Sequence, residues 1–176
     1  GISPNQVAAI ALDGQMAGIM GVDDRGEAAT PYDSWLDFRS ADYAEKMKKE
    51  AEQLVIRQSG MGPSINHGPK ILWWKHERPE IYRKIKKFTV PSSWITQKLA
   101  GLSGEETYLD YTNLHFTCFG DLRNLRWDKE ILQIFDVGVA GQKPQKFMDD
   151  RFQMQLLGRQ HRKTFGQIKT HLITEN

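Results

Sequence analysis

The spacing of apolar and polar positions divides the chain into unlike pieces. Gln6-Val7-Ala8-Ala9-Ile10-Ala11-Leu12 is a short continuous apolar run closed by Asp13-Gly14, the pattern of a strand covered on both faces in an α/β sheet. Gly18-Ile19-Met20-Gly21-Val22, leading into Asp23-Asp24-Arg25-Gly26, predicts a second strand that ends in a turn. From Ser40, read as an N-cap, Tyr43, Met47, Ala51 and Leu54 recur at helical spacing with lysines and glutamates between them. This predicts an amphipathic surface helix ending near Gly60. After a loop over 60–69 rich in Gly, Pro, Ser and Asn, another helix is predicted to begin with Ile71, Leu72 and Trp74, and Pro79 suits the first turn of a further one through Ile81, Tyr82 and Ile85. Pro91-Ser92-Ser93 starts the next, which stops at Gly101, and Asp128 caps a helix with Ile131, Leu132 and Phe135 inward, ending at Gly138. The predicted class is α/β with helices dominant, without an internal repeat.

Beyond Gly138 the apolar spacing becomes irregular, and six of the twelve glutamines fall in the last 36 residues. Residues 1–138 are therefore expected to form one folded part, and 139–176 a loosely attached tail of unrelated or frame-shifted origin. With 39% hydrophobic residues the 176-residue chain can fill a single core, which excludes disorder throughout. A net charge of +2 does not suggest a nucleic-acid binder. No apolar run reaches the length of a membrane span, and Gly1-Ile2-Ser3-Pro4 lacks the basic and apolar regions of a signal peptide, so a cytoplasmic protein without membrane partners is expected.

Candidate chemistry is sparse. The single cysteine, Cys118, excludes a disulfide framework within the chain and reads as a small buried hydrophobe between aromatic neighbours. The histidines have no spacing that would place two ligands on one helix face, so no metal site is expected; His115, between Leu114 and Phe116, reads as a hydrogen-bonded, partly buried residue. The segment 70–87 interleaves Trp73, Trp74 and Tyr82 with Lys70, Lys75, Arg78, Arg83, Lys84, Lys86 and Lys87. It could be a surface for single-stranded nucleic acid, but helical spacing favours core aromatics and a solvated basic face. Two segments offer more. The loop Asp13-Gly14-Gln15-Met16-Ala17-Gly18 follows the first predicted strand, where α/β proteins place ligands, and Trp35-Leu36-Asp37-Phe38-Arg39 follows the second. Gln15, Asp37 and Arg39 could bind a polyhydroxy ligand; alternatively Asp37 and Arg39 pair to fix a helix entrance.

At these residues the sequence resembles the FGGY carbohydrate kinases, and among them the xylulokinase-like enzymes. Gly14-Gln15-Met16-Ala17-Gly18 is similar to the family's Gly-Gln-Met-His-Gly loop, and Trp35-x-Asp37-x-Arg39 to its Trp-x-Asp-x-Arg. Lys70-Ile71-Leu72-Trp73-Trp74 with Arg78-Pro79-Glu80 resembles its first signature, and Asp110-x-Thr112-Asn113 with Thr117, Asp121 and Trp127 has the family spacing. Ala17 stands where the family has a histidine, His67 where a small residue is usual, and Trp74 and His76 are atypical. The resemblance implies a partial RNase H-like, actin-like ATPase domain, part of the N-terminal sugar-binding lobe, in a kinase that phosphorylates a ketose such as xylulose. Gln15, Met16, Ala17, Asp37 and Arg39 are the substrate-binding residues it implies. The family's phosphate hairpin and aspartate base have no counterpart in the sequence, so no catalytic residue is expected and the chain is expected to be inactive alone. ATP and Mg2+ are implied for the full-length family and not for this chain. A small-molecule sugar is the expected partner, homodimer formation by the full-length protein is left open, and a non-enzymatic sugar-binding module is the alternative reading.

Overall fold

The computed structural model describes residues 3, 6–8, 10 and 12–138. In chain order these form β1 (Met20–Val22), α1 (Ala41–Ser59), α2 (His67–Glu77), α3 (Pro79–Tyr82), β2 (Lys87–Thr89), α4 (Pro91–Ala100), β3 (Gly120–Asp121), β4 (Arg126–Trp127) and α5 (Lys129–Ile134), with 3-10 turns at Gly104–Glu106 and Tyr111–Thr117. The predicted tail falls outside the described residues.

The apolar stripe of α1 is the spine of the core. Met47, Ala51 and Val55 are buried against Ile71, Leu72 and Trp74 of α2, Phe119 of the segment before β3, and Ile131, Leu132 and Phe135 on and just after α5. Gly60 ends α1 in the left-handed region, with φ of 75°, its N–H donating to the Ile56 carbonyl, the arrangement expected of a glycine C-cap. The helix is kinked at Ala51, where φ is −152°. β1 and β2 pair antiparallel, Met20 opposite Thr89 and Val22 opposite Lys87, and β3 and β4 form a second two-stranded ladder. Among the described residues no helix is long and apolar enough to cross a membrane.

Several expected boundaries move. Residues 6–12 do not form a strand among the described residues: Gln6 closes a short turn onto the Ser3 carbonyl, and Val7 (45%), Ile10 (60%) and Leu12 (38%) are exposed. A strand covered on both faces needs a hydrogen-bonding neighbour, and β1 pairs with β2 instead. α2 begins at His67, four residues before the expected start, because Pro69 occupies its first turn, where a missing N–H costs no intrahelical bond. α3 stops at Tyr82, leaving Ile85 buried outside any helix, and α5 stops at Ile134 before Gly138. The basic face of 70–87 is only partly solvated. Lys70 and Lys87 are buried and donate to the carbonyl oxygens of Asp37 and Glu105.

Asp128 caps α5 as expected, its Oδ1 accepting from the Ile131 N–H at 2.9 Å, while Oδ2 accepts from Gln58 Nε2 of α1 at 2.6 Å. Asp128→Ala removes both bonds and is expected to lower stability by about 1–2 kcal/mol, with Asp128→Asn closer to wild type. Urea denaturation of the three proteins checks the order; equal stability of all three would dismiss the cap.

Candidate functional site

The loop from Asp13 to Gly18 reaches β1 through a close backbone approach. Ile19 and Asp33 exchange both backbone hydrogen bonds, at 2.9 and 3.1 Å. A Cβ on Gly18 would lie 2.2 Å from the Tyr32 hydroxyl oxygen and 2.6 Å from the Asp33 carbonyl, so only glycine lets the strands meet here. Tyr32 then donates its hydroxyl to Gln15 Oε1 at 2.8 Å, and His67 Nε2 donates to the Met16 carbonyl at 2.9 Å. The Met16 side chain stays 59% exposed, and Ala17 is half-buried.

The second segment is organised by Asp33. Its buried carboxylate accepts from the Trp74 indole N–H through Oδ2 and from Arg39 Nη2 through Oδ1, the latter at 2.6 Å. Arg39 also holds Asp37: Nε donates to Oδ1 at 3.0 Å and Oδ2 at 2.8 Å, and Nη2 donates to Oδ2 at 2.5 Å. The guanidinium lies over the Trp73 ring, 4.3 Å from its centroid. Lys70 reaches from α2 to donate to the Asp37 carbonyl at 2.6 Å. Two acids and two bases thus form one compact set.

The environments shift these groups in different directions. Burial pushes the Asp33 carboxyl up, against the Trp74 donor and the Arg39 charge. Hydrogen bonding by Arg39 holds Asp37 below the usual carboxylate range, the same bond raises Arg39, and burial lowers Lys70. Burial also drives His67 down to about 4, with the Met16 carbonyl opposing it, and the Cys118 thiol up to about 12, which leaves Cys118 inert.

The structure therefore brings the two predicted segments onto one connected network, running from Gln15 to Tyr32, through the adjacent Asp33, to Arg39 and Asp37. The Asp37–Arg39 pair at the entrance of α1 is present. Arg39 Nη1 is left as the guanidinium nitrogen without a carboxylate among the described residues. Tyr32, Asp33, His67 and Lys70 join the site without having been expected there. Asp33 carries no local sign of its role, because its partner Trp74 lies on another helix. The last group of singled-out residues makes turns: Asp110 accepts from the N–H and hydroxyl of Thr112 and from Asn113 Nδ2, and Asp121 accepts from Asn124 and Arg126.

Residues 1–145 match the N-terminal domain of the FGGY family of carbohydrate kinases. The chain belongs to that family. It is 24% identical over 133 residues to a xylulose kinase of Lactococcus lactis, covering 75% of this chain and 26% of that protein. It is 30% identical over 145 residues to a glycerol kinase of Lactobacillus acidophilus, covering 78% and 28%. The crystal structure of a gluconate kinase from Lactobacillus acidophilus superposes with a TM-score of 0.67 at 25% identity, over 81% of this chain and 28% of that one. The fold is that of FGGY kinases, RNase H-like and actin-like, here helix-rich and partial. This FGGY chain spans about a quarter of the length of the curated relatives it matches.

Two consequences can be measured. Asp33→Ala leaves the Trp74 indole N–H buried without its acceptor and is expected to cost about 1–3 kcal/mol, whereas Asp33→Asn keeps an acceptor and costs less; chemical denaturation separates them. For His67, a base whose folded pKa of about 4 lies below its unfolded value of 6.5, the unfolded state binds more protons between those limits. Its contribution to stability is therefore complete above pH 6.5 and is lost as pH falls toward 4, a trend to which the lowered His76 adds. His67→Leu should flatten this part of the stability curve, and an unchanged slope would show that the ring is not held neutral.

Proposed function

We propose that this chain forms the sugar-facing wall of a carbohydrate kinase that phosphorylates a ketose such as xylulose. The observation that carries the reading is the network joining the Gln15 loop to Asp37 and Arg39 in a chain of FGGY membership. Gln15, Asp37 and Arg39 can accept from or donate to hydroxyl groups, while Met16 and Ala17 offer apolar contact to the carbon skeleton. The xylulose, glycerol and gluconate kinases among the relatives act on polyhydroxy compounds by name, which supports a polyol of this kind.

In the whole protein's proposed reaction, a sugar hydroxyl oxygen bonds to the γ-phosphorus of ATP as the bond to ADP breaks, and a base outside the residues assigned here takes the hydroxyl proton. This chain's part is to bind and orient the sugar. Among the described residues no group of three His, Cys, Asp or Glu side chains is placed to hold a metal ion. No catalytic residue is assigned to this chain.

Calorimetry or ligand-observed NMR with D-xylulose, glycerol and D-gluconate tests the reading. Weak binding is expected, since a single wall leaves the ligand largely hydrated. Asp37→Ala should weaken it about ten- to a hundredfold, the loss of one charge-assisted hydrogen bond. Binding that survives this change in a folded protein would return the Asp37–Arg39 pair to the helix entrance alone.

A further inference from the structure

Among the described residues, two long-range hydrogen bonds tether the side chain of Gln15 and the backbone of Met16. One runs between the Tyr32 hydroxyl and Gln15 Oε1, near solvent; the other, from His67 Nε2 to the Met16 carbonyl, is made from a ring with no exposed surface. His67 is the first residue of α2, and its ring packs against Phe116 with centroids 5.5 Å apart. Gly68 beside it has no room for a Cβ, which would lie 2.2 Å from the Thr117 carbonyl oxygen. The imidazole is thus clamped between the start of α2, the Tyr111–Thr117 turn and the loop.

A carbonyl oxygen only accepts, so Nε2 carries the hydrogen. Nδ1 is then a buried acceptor with no donor facing it among the described residues. A leucine would fill a similar volume against Phe116 and remove the unpartnered Nδ1; what the imidazole adds is its bond to the Met16 carbonyl, which leucine would leave without this donor.

We infer that His67 is a positioning residue, whose Nε2–H fixes the Met16 carbonyl and thereby sets the height at which Gln15, Met16 and Ala17 meet the sugar. This rests on the reading of that loop as sugar-facing. The charged and titratable groups that act on the ring are Lys70, His115 and Asp110. The ring stays neutral, and the loop does not change height, across the ordinary working range of pH.

The test uses the 176-residue chain, isotope-labelled, with His67→Leu and His67→Gln. The wild-type imidazole should show the neutral Nε2–H tautomer unchanged from pH 8 to pH 5. In His67→Leu the backbone amides of Ile19 and Asp33, which pair where the loop joins β1, should exchange about tenfold faster, the cost of one lost hydrogen bond, while those of α1 and α5 keep their rates. Gln, whose side-chain amide reaches the place of Nε2, should restore the loop. Sugar affinity, for whichever of D-xylulose, glycerol and D-gluconate binds, should fall about tenfold in His67→Leu and recover in His67→Gln. Unchanged loop exchange, acceleration spread equally over α1 and α5, or failure of Gln to restore the loop would overturn the inference. Loop exchange that behaves as expected in a protein binding none of the three compounds would instead overturn the sugar-facing reading, and the positioning of a substrate with it.

Discussion

A carboxylate withdrawn from water must find donors and positive charge inside the protein, and Asp33 imposes that requirement here. Its two oxygens are met by Trp74 from α2 and Arg39 from the entrance of α1. Its backbone is meanwhile held by Ile19 at the start of the first ladder. A buried charge left with one partner would be expensive, so the positions of α2, the Arg39 segment and β1 are fixed together. The stacking of Arg39 over Trp73 and the reach of Lys70 to the Asp37 carbonyl follow from that alignment. The Gln15 loop inherits its place because Gly18 leaves no gap between it and Tyr32–Asp33.

The parts legible in the sequence are those governed by near neighbours. Met47 and Ala51 share the buried face of α1 at helical spacing, with Tyr43 and Leu54 partly buried beside it, while Val55 takes the inward place the spacing gives to Leu54. Gly60 and Gly101 stop their helices in left-handed conformations, and Asp128 bonds three residues ahead. Trp35-x-Asp37-x-Arg39 was readable as a pair because its polar members lie two residues apart. What escaped depends on distant partners. Asp33 meets Trp74 41 positions away, and His67 meets Met16 51 positions away. Lys70 and Lys87 resemble surface lysines until a backbone carbonyl is placed at the end of each buried stem.

Other failures have their own physics. Gly-Pro before Lys70 reads as a loop, although proline in a first helical turn gives up nothing. The kink of α1 falls at alanine, the best helix former, where composition carries no warning. The run from Val7 to Leu12 has the composition of a buried strand, but composition supplies no pairing partner, and its large side chains remain open to water.

The four ionic groups around Asp37 have a further consequence. Asp33 and Asp37 against Arg39 and Lys70 carry no net charge, and the bidentate pairing turns Arg39's field inward. These four groups present local dipoles and little long-range potential of their own, and added salt has little of it to screen. Under the proposed sugar-facing role, such a set would sort ligands by the placement of hydroxyl groups at contact, after diffusion has delivered charged and uncharged candidates alike.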